Sequence, residues 1–511
     1  MSVLVPSARV RGAASSPLGL TLAAAAVAGI AIRVWADRAQ LGVPNADEAV
    51  VGLMVRHVTH GELTAFYWGQ AYGGTQEVLL TAPLFLVAGS SWLALRLIPI
   101  ALNALAAVLV WRVGRRTLGE PAATAAGALF WIWPPFNDYQ LVHQFAFYAS
   151  DVVYVALLLL LALRIVEQPD RLRVGLFGLV VGLGFWETAQ IVPVVVGVVV
   201  WTIWQRPRAL RHAWLAAALA VLGALPWIVW NARHSWQSLD QPPYGDYLRS
   251  LRLLASPILP MMVGLRAPFS AELLLPKAAT YLLYLGLIAL FVYGATKVRR
   301  RPASILYVVV AVFPWIYATS PKTILALGRP RYIEVLTPIL ALLLAQLATS
   351  RTRVAALLAV ACAVSIVTVH RMDAWFRGEP RPTTNAEGLG PRHAIQWVPR
   401  DLTGLIRGLK AMNLDHVYAD YWLAYRLDFD SHESVVATES RFRQVTFVDG
   451  QAVPVSDEIP RYRKYEQEVR RSRHGFVFYS QIVGTVPIVA ELERHGYHRN
   501  VIGSYIVYGP G

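Results

Sequence analysis

Two adjacent carboxylates, Asp47 and Glu48, are the sharpest chemical signal in the sequence. They follow the first long apolar run and begin a helix-like stretch, close to the expected membrane surface. A carboxylate in such a place can act as a general base, and two side by side raise one another's pKa. The same position also suits an acidic residue that only caps a helix N-terminus. On spacing alone, capping is the more frequent role.

Further polar residues fall in the same outer segments. They are candidate substrate-binding residues: Tyr72, Glu77, His143, Arg266, Lys322, Arg329 and Arg331. Ionisable groups at membrane depth are costly and are more often functional than in soluble proteins. Most loop charges are nevertheless only solvated. Glu187 differs, because its flanks are apolar: either the helix breaks at the outer surface there, or the carboxylate lines a cavity.

The sequence gives little support for a metal site or a nucleotide site. The sequence has no HExxH motif, and His57 and His60 lack a third ligand nearby. The single cysteine, Cys362, lies within an apolar run. Neither a Walker A motif nor a dinucleotide fingerprint occurs. We therefore predict no cofactor and find no support for a divalent cation. Because no nucleotide site is found, a reaction would have to draw its energy from an activated lipid. Otherwise the protein would carry out passive transport.

The composition is that of a membrane protein. Of 511 residues, 56% are hydrophobic and 15% charged, against about 45–50% and about 25% in soluble domains. The net charge of +15 would suit a nucleic-acid binder. However, residues 1–370 carry 29 Lys/Arg and 15 Asp/Glu, whereas residues 371–511 carry 18 and 17. The excess lies among the apolar runs, so we predict the bilayer as a partner and no nucleic acid.

Eleven apolar spans follow from the hydropathy pattern. They are residues 18–35, 97–113, 121–137, 147–163, 174–187, 189–204, 213–230, 279–296, 303–319, 332–348 and 354–370. With a cytoplasmic N-terminus, the inner loops hold 17 basic and 3 acidic residues, as the positive-inside rule requires. We therefore predict a multi-pass protein of the plasma (inner) membrane whose tail lies outside the cytoplasm.

Two regions outside the spans have sequence patterns that predict further structure. The outer segment 36–96 contains a helix-like stretch at 48–60, and an apolar stretch at 76–88 that is too short to cross and is predicted to lie at the interface. The tail, 371–511, has the charge content of a soluble domain and alternates strand-like with helix-like runs. It predicts an extracytoplasmic α/β domain beside a transmembrane domain at 1–370.

Several short motifs, taken in order, resemble the GT-C class of polyprenyl-phosphate-sugar-dependent glycosyltransferases. The resemblance covers about residues 18–350 and is closest to the family 39 group of protein O-mannosyltransferases and aminoarabinose transferases. Its carriers are Asp47-Glu48-Ala49, Gly89-Ser90-Ser91 with the stretch 92–99, the stretch 113–119, Gly182-Leu183-Gly184-Phe185, Leu225-Pro226-Trp227 through Asn231, and Arg331-Tyr332. Two departures stand out: 74–79 replaces the Lys-Pro-Pro-Leu motif of the aminoarabinose transferases, and Glu187-Thr188 stands where many members have a lysine.

The resemblance implies a GT-C-like fold of about eleven transmembrane helices and an inverting transferase. Asp47 would be the general base with Glu48 as its neighbour, and Arg331 and Tyr332 would lie near the donor. By position alone, Arg266, Lys322 and Arg329 are further candidate phosphate contacts. The donor would be a polyprenyl-phosphate sugar, and the acceptor a cell-envelope glycan, lipid or protein hydroxyl.

A transporter or flippase of lipid-linked sugars is the alternative. Such proteins usually show internal repeats with broken helices at matching positions, and this sequence shows no such symmetry. For the tail, we expect an independently folding domain that helps to bind the acceptor, with the donor site wholly within residues 1–370.

Overall fold

The computed structural model of the protein describes residues 17–132, 142–240, 246–270, 272–298, 301–320, 330–377, 398–455, 460–481 and 483–511. A helical part runs to Arg377 and a smaller part of mixed helix and strand follows. The helices of the first part are α1 (Pro17–Arg38), α2 (Ala46–Thr59), α3 (Gln76–Ala88), α4 (Trp92–Thr117), α5 (Glu120–Ile132), α6 (Tyr148–Glu167), α7 (Arg171–Glu187), α8 (Val192–Gln205), α9 (Ala213–Gly223), α10 (Leu225–Arg233), α11 (Tyr247–Leu253), α12 (Leu259–Met262), α13 (Lys277–Lys297), α14 (Ser304–Tyr317), α15 (Thr337–Ala345) and α16 (Arg351–Arg377).

Several of these helices can cross a membrane. Five are long and apolar enough alone among the described residues: Gly19–Arg38, Trp92–Thr117, Tyr148–Glu167, Lys277–Lys297 and Arg351–Arg377. A sixth crossing results if Ala189–Gln205 and Pro207–Gly223, bent by 116° at their junction, form one broken span. Each of the eleven predicted spans overlaps one or two helices, and residues 133–137 of the third span lie outside the described residues. The polytopic helical architecture is confirmed, and the number of crossings stays a prediction.

The break near Glu187 is present, because α7 ends at that residue and α8 begins after a short turn. Helix α7 packs closely against α9 through glycines. A Cβ added at Gly178 or Gly182 would lie 2.0 Å from the carbonyl oxygen of Ala216 or Ala220. Membrane helices approach one another most closely where small residues meet, so neither glycine can be replaced without separating the two helices.

The outer segment contains the two predicted helices. Asn45 caps α2, since its side-chain oxygen accepts a hydrogen bond from the Glu48 amide at 3.1 Å. Helix α3 has the bounds expected for the interface helix. One of its faces buries Val78 and Phe85, whereas Leu86 and Val87 on the other are 71% and 88% exposed. A short helix with such an exposed apolar face suits the membrane boundary.

The second part is an α/β unit, as the alternating tail predicts. Its helices are α17 (Thr403–Ala411), α18 (Tyr421–Asp430), α19 (Arg463–Arg471) and α20 (Val489–Arg494). Its strands are β1 (His416–Ala419), β2 (Val436–Glu439), β3 (Val445–Val448), β4 (Gln451–Pro454), β5 (Gly475–Tyr479), β6 (Tyr497–Ile502) and β7 (Tyr505–Pro510). Five strands form one sheet in the order β2-β1-β5-β7-β6, with β1 parallel to β2 and β5, and β7 antiparallel to its neighbours.

The two parts are joined by a shared apolar core. Buried residues of α2 and α3, such as Leu53 and Phe85, belong to the same cluster as Phe429 of α18 and Phe476 of β5. This continuity argues against the independent folding that we expected of the tail, because removing it would expose buried apolar residues of α2.

Polar contacts also join α2 and the residues before it to α18, and we call this contact region the α2–α18 junction. Arg56 donates to the Phe429 carbonyl at 2.7 Å, and its guanidinium lies 4.2 Å from the centre of the Phe429 ring. Arg426 is fully buried and donates to the carbonyl of Pro44, just before α2 begins. The second part therefore contacts both the segment just before α2 and residues within α2, the helix that carries Asp47.

Candidate active site

Asp47 lies in the first turn of α2 and is partly exposed, and Asn45 is the capping residue. The capping role that spacing allowed for Asp47 is thus filled by another residue. Two tyrosines fix its position. The Tyr67 hydroxyl donates to the Asp47 carbonyl at 2.7 Å, and the Tyr421 hydroxyl donates to Oδ1 of the carboxylate. These bonds orient the carboxylate, and among the described residues none donates a hydrogen bond to Oδ2.

Arg331 approaches the carboxylate from the helical part. Its guanidinium lies 4.7 Å from the centre of the Tyr332 ring. Burial lowers the pKa of Arg331, but surrounding groups outweigh burial and raise it overall. Those groups are Tyr148, Tyr332, Asp47 and Tyr72. Within the described ranges, Nε of Arg331 has no hydrogen-bond partner. A charged guanidinium with a spare donor is suited to an anion.

Arg461 approaches from the other part of the chain, in the turn before α19. Its guanidinium lies 5.7 Å from the centre of the Tyr67 ring and 5.5 Å from that of Tyr421. In the amide orientation that satisfies both of its ends, Gln70 donates to the Tyr72 hydroxyl at 3.0 Å and accepts from Arg461 Nη2 at 3.2 Å. We call the resulting group the Asp47 chamber. It comprises Asp47, Tyr67, Gln70, Tyr72, Arg331, Tyr421 and Arg461.

Glu48 points away from the chamber into the protein and is fully buried. Arg96 donates to both of its oxygens at 2.6 Å, and His143 Nδ1 lies 3.0 Å from Oε2. The backbone amide of Gln144 donates to Oε1 at 3.2 Å. Burial raises the pKa of Glu48, but Arg96 and His143 outweigh it and lower the pKa to about 2. Glu48 therefore stays ionised and holds α2 against α4.

His143 belongs to this ion pair rather than to the chamber. Its Nδ1 faces Glu48, and its Nε2 lies 2.8 Å from the carbonyl oxygen of Leu41. Both ring nitrogens are therefore engaged within the protein. The sequence predicted His143 as a substrate-binding residue, whereas its contacts are with Glu48 and the Leu41 carbonyl.

Glu77 lies in a separate acidic cluster behind the Gly73-Gly74 turn. The Ser150 amide and hydroxyl donate to Glu77 Oε1 at 2.7 and 2.9 Å, and the same hydroxyl lies 3.0 Å from Glu187 Oε1. Glu187 Oε2 also accepts from the Gln76 amide at 3.2 Å. The helix thus ends at Glu187, as the first of the two alternatives predicted, and its carboxylate is buried against Ser150 and Gln76.

Three predicted phosphate contacts remain: Arg266, Lys322 and Arg329. Arg266 forms an isolated antiparallel bridge with Leu273. Lys322 and Arg329 fall outside the described residues. Among the residues that the structure does describe, no group of three or more His, Cys, Asp or Glu side chains could hold a metal ion.

Three important residues were not found by sequence reasoning: Tyr421, Arg461 and Arg96. Arg96 lies within one of the motifs that carried the resemblance, so its place in a motif was visible although its partner was not. Tyr421 and Arg461 stand more than 370 residues after Asp47 along the chain. No local pattern marks either of them, because their role depends on how the second part packs on the first.

Comparisons with known proteins agree with this architecture. Residues 79–230 match the family model described as dolichyl-phosphate-mannose-protein mannosyltransferase. No curated protein matches the chain in sequence. Among solved structures, ArnT from Cupriavidus metallidurans bound to undecaprenyl phosphate aligns with a TM-score of 0.56 at 13% identity, over 96% of this chain and 97% of that one. Its apo form gives 0.57 with the same identity and coverage. The expected resemblance is confirmed, and the chain has the GT-C fold of integral-membrane glycosyltransferases.

Proposed function

We propose that the protein is an inverting glycosyltransferase that moves a sugar from a polyprenyl-phosphate donor to a hydroxyl of an extracytoplasmic acceptor. One observation carries the proposal: the carboxylate of Asp47, oriented by Tyr421, is among the groups that act electrostatically on the charged guanidinium of Arg331. ArnT from C. metallidurans, which shares the fold, was crystallised with undecaprenyl phosphate, and this supports a donor of that class.

The chemistry would be a single displacement. Oδ2 of Asp47 removes the proton of the acceptor hydroxyl while its oxygen attacks the anomeric carbon. The bond from that carbon to the phosphate oxygen breaks, and the electron pair leaves with polyprenyl phosphate. Arg331 stabilises the charge that develops on this leaving group. Asp47 then releases its proton to water when the products depart.

The transporter alternative is less well supported. Transport needs neither an oriented carboxylate nor the hydrogen bond from Tyr421 that holds it. The chamber also draws on both parts of the chain, whereas the sequence shows no pair of matching halves. A purified sample supplied with a panel of polyprenyl-phosphate sugars and candidate glycan, lipid and protein acceptors should release polyprenyl phosphate. Movement of intact lipid-linked sugar across vesicles without any release would instead favour the transporter.

The role of Arg331 can be tested by changing its shape and keeping its charge. We expect Arg331→Lys to lower transfer by about 10- to 100-fold, because hydrogen bonds to a charged group contribute about 1.5–3 kcal/mol each and lysine lacks the guanidinium fork. Initial rates at saturating acceptor would measure the effect. Arg353→Lys, at an exposed arginine on the predicted inner side, is the matched control. Wild-type rates for Arg331→Lys would leave Arg331 with a structural role only.

The orientation in the membrane is likewise a proposal. The 17 basic against 3 acidic residues of the inner loops place the chamber outside the cytoplasm. A reporter fused after Gly511 should read extracytoplasmic, and one fused after Arg301 should read cytoplasmic. A cytoplasmic signal from the Gly511 fusion would contradict the eleven-span topology and the proposed side of the reaction.

A further inference from the structure

Arg461 is the cation that the second part of the chain brings to the chamber. Its guanidinium lies beside the rings of Tyr67 and Tyr421, the two tyrosines that hold Asp47 by its carbonyl and its carboxylate. Through the Gln70 amide it is also linked to Tyr72, the tyrosine that stands near Arg331. Arg461 therefore lies beside the two tyrosines that hold Asp47 and is linked through Gln70 to a tyrosine near Arg331.

The absence of a side chain at Gly69 leaves space for Arg461. Gly69 has φ +68°, and a Cβ added there would lie 2.7 Å from the Cα of Arg461 and 3.0 Å from its Cδ. Real side chains do not approach so closely, so a side chain at position 69 must push the Arg461 segment away. Gly61, at the end of α2, also has positive φ, at +88°, but a Cβ there would meet nothing within 4 Å.

The charge on Arg461 is not cancelled by a carboxylate beside it. Within the described ranges, its guanidinium makes no ion pair. Asp47 and Glu439 both act electrostatically on Arg461, and Glu439 accepts the backbone amide of Arg461 at 3.0 Å. Burial raises the pKa of Glu439 to about 7 against the opposing effect of Arg461. At neutral pH this carboxyl is therefore only partly ionised and offsets only part of the arginine charge.

Charge balance identifies what the chamber is built to receive. Asp47 acts on both Arg331 and Arg461, and its single negative charge leaves one of the two positive charges unbalanced. The donor adds a phosphodiester anion whose charge grows as it leaves, since a phosphate monoester carries about −1.5 to −2 at pH 7. One arginine cannot balance that growth. Arg461 supplies the second cation, and its planar guanidinium suits phosphate oxygens.

We propose that Arg461 binds the phosphate of the lipid-linked donor together with Arg331, so that the second part of the chain completes the donor site. This rests on the proposed glycosyltransferase function and replaces our expectation of a donor site wholly within residues 1–370. The competing role for Arg461 is recognition of an acidic acceptor, and the experiment below separates the two.

The test compares two lipids that differ only in the phosphate, undecaprenyl phosphate and undecaprenol, on the full-length protein in detergent. We expect Arg461→Gln to weaken undecaprenyl phosphate binding by about 10- to 100-fold, as loss of hydrogen bonds to a charged group predicts, and to leave undecaprenol binding unchanged. Arg463→Gln, at an exposed arginine two residues later, should bind both lipids like wild type. Wild-type phosphate affinity in Arg461→Gln, with a raised acceptor KM, would overturn the proposal in favour of acceptor recognition.

A second pair of variants leaves Arg461 itself in place. Gly69→Ala and Gly61→Ala both put a side chain on a positive-φ residue, so both carry similar backbone strain. Only Gly69→Ala displaces Arg461, and it should reproduce the loss of undecaprenyl phosphate binding. Equal affinity in the two variants would overturn the proposal. If wild-type protein prefers neither lipid, the donor class in the proposed function fails, and that result differs from every outcome for Arg461.

Discussion

Replacing Asp47 with Asn is expected to lower sugar transfer by about 10²–10⁴-fold, the range that a positioned general base contributes. Asparagine keeps the size of the side chain and can still accept the hydrogen bond from Tyr421, but it cannot take a proton from the acceptor hydroxyl. Because Asn45 caps α2, the change should cost little stability. Single-turnover assays with a saturating polyprenyl-phosphate sugar would measure it.

The control for this variant is Asp170→Asn. Asp170 caps α7 by accepting the Arg173 amide at 2.8 Å, and it lies on the predicted inner side, away from the chamber. Both variants should express, unfold at near wild-type temperature and bind undecaprenyl phosphate, and only Asp47→Asn should lose transfer. If Asp47→Asn keeps most of its turnover, Asp47 is not the base, and the proposed displacement loses its proton acceptor.

Glu48→Gln, one residue later, should fail in a different way: we expect unfolding to become easier by about 3–5 kcal/mol, as when one partner of a buried ion pair is removed. Arg96 would keep only Asp37, a half-exposed carboxylate, as its ionic partner. Thermal unfolding in detergent would show the loss. The double variant Glu48→Leu with Arg96→Met should recover part of the stability, because it leaves no unpaired buried charge.

The same ion pair has a defined pH signature. Because the pKa of Glu48 is lowered to about 2 from an ordinary 4.5, its contribution is fully present above pH 4.5 and is lost as the pH falls toward 2. Wild-type stability should therefore fall over that window more steeply than that of the double variant. Identical acid profiles for the two proteins would show that the Glu48–Arg96 pair contributes nothing to folding.

The sequence allowed us to predict the helices and the α/β tail, but not the contacts between residues that are distant along the chain. The interface helix 76–88, the break at Glu187 and the α/β tail were predictable because apolar length and periodicity are local properties. The hairpin of β3 and β4 was missed although a signal existed. Asp449-Gly450, with φ of 51° and 79°, is the Asp-Gly pair that favours a two-residue hairpin turn.

The residues of the candidate site differ in the same way: some could be predicted from local sequence and others could not. Asp47 was identified from its place after the first span, and Arg331 from a two-residue motif. The inward direction of Glu48 was not predictable, because adjacent helical residues point about 100° apart and only packing decides which one faces the core. Arg461 and Tyr421 were not predictable at all, since their approach depends on the docking of a distant part of the chain.

The α2–α18 junction bears on how such proteins can be recombined. Arg426 donates to the carbonyl of Pro44, two residues before α2, and Tyr421, about one turn earlier on the same helix, donates to the Asp47 carboxylate that α2 presents. A chimera that takes its second part from another protein of the same fold would thus inherit foreign contacts to its own Asp47, whatever the linker. The exchangeable module is the second part together with α2, and substitutions on the facing surfaces of α2 and α18 should arise in matched pairs as lineages diverge.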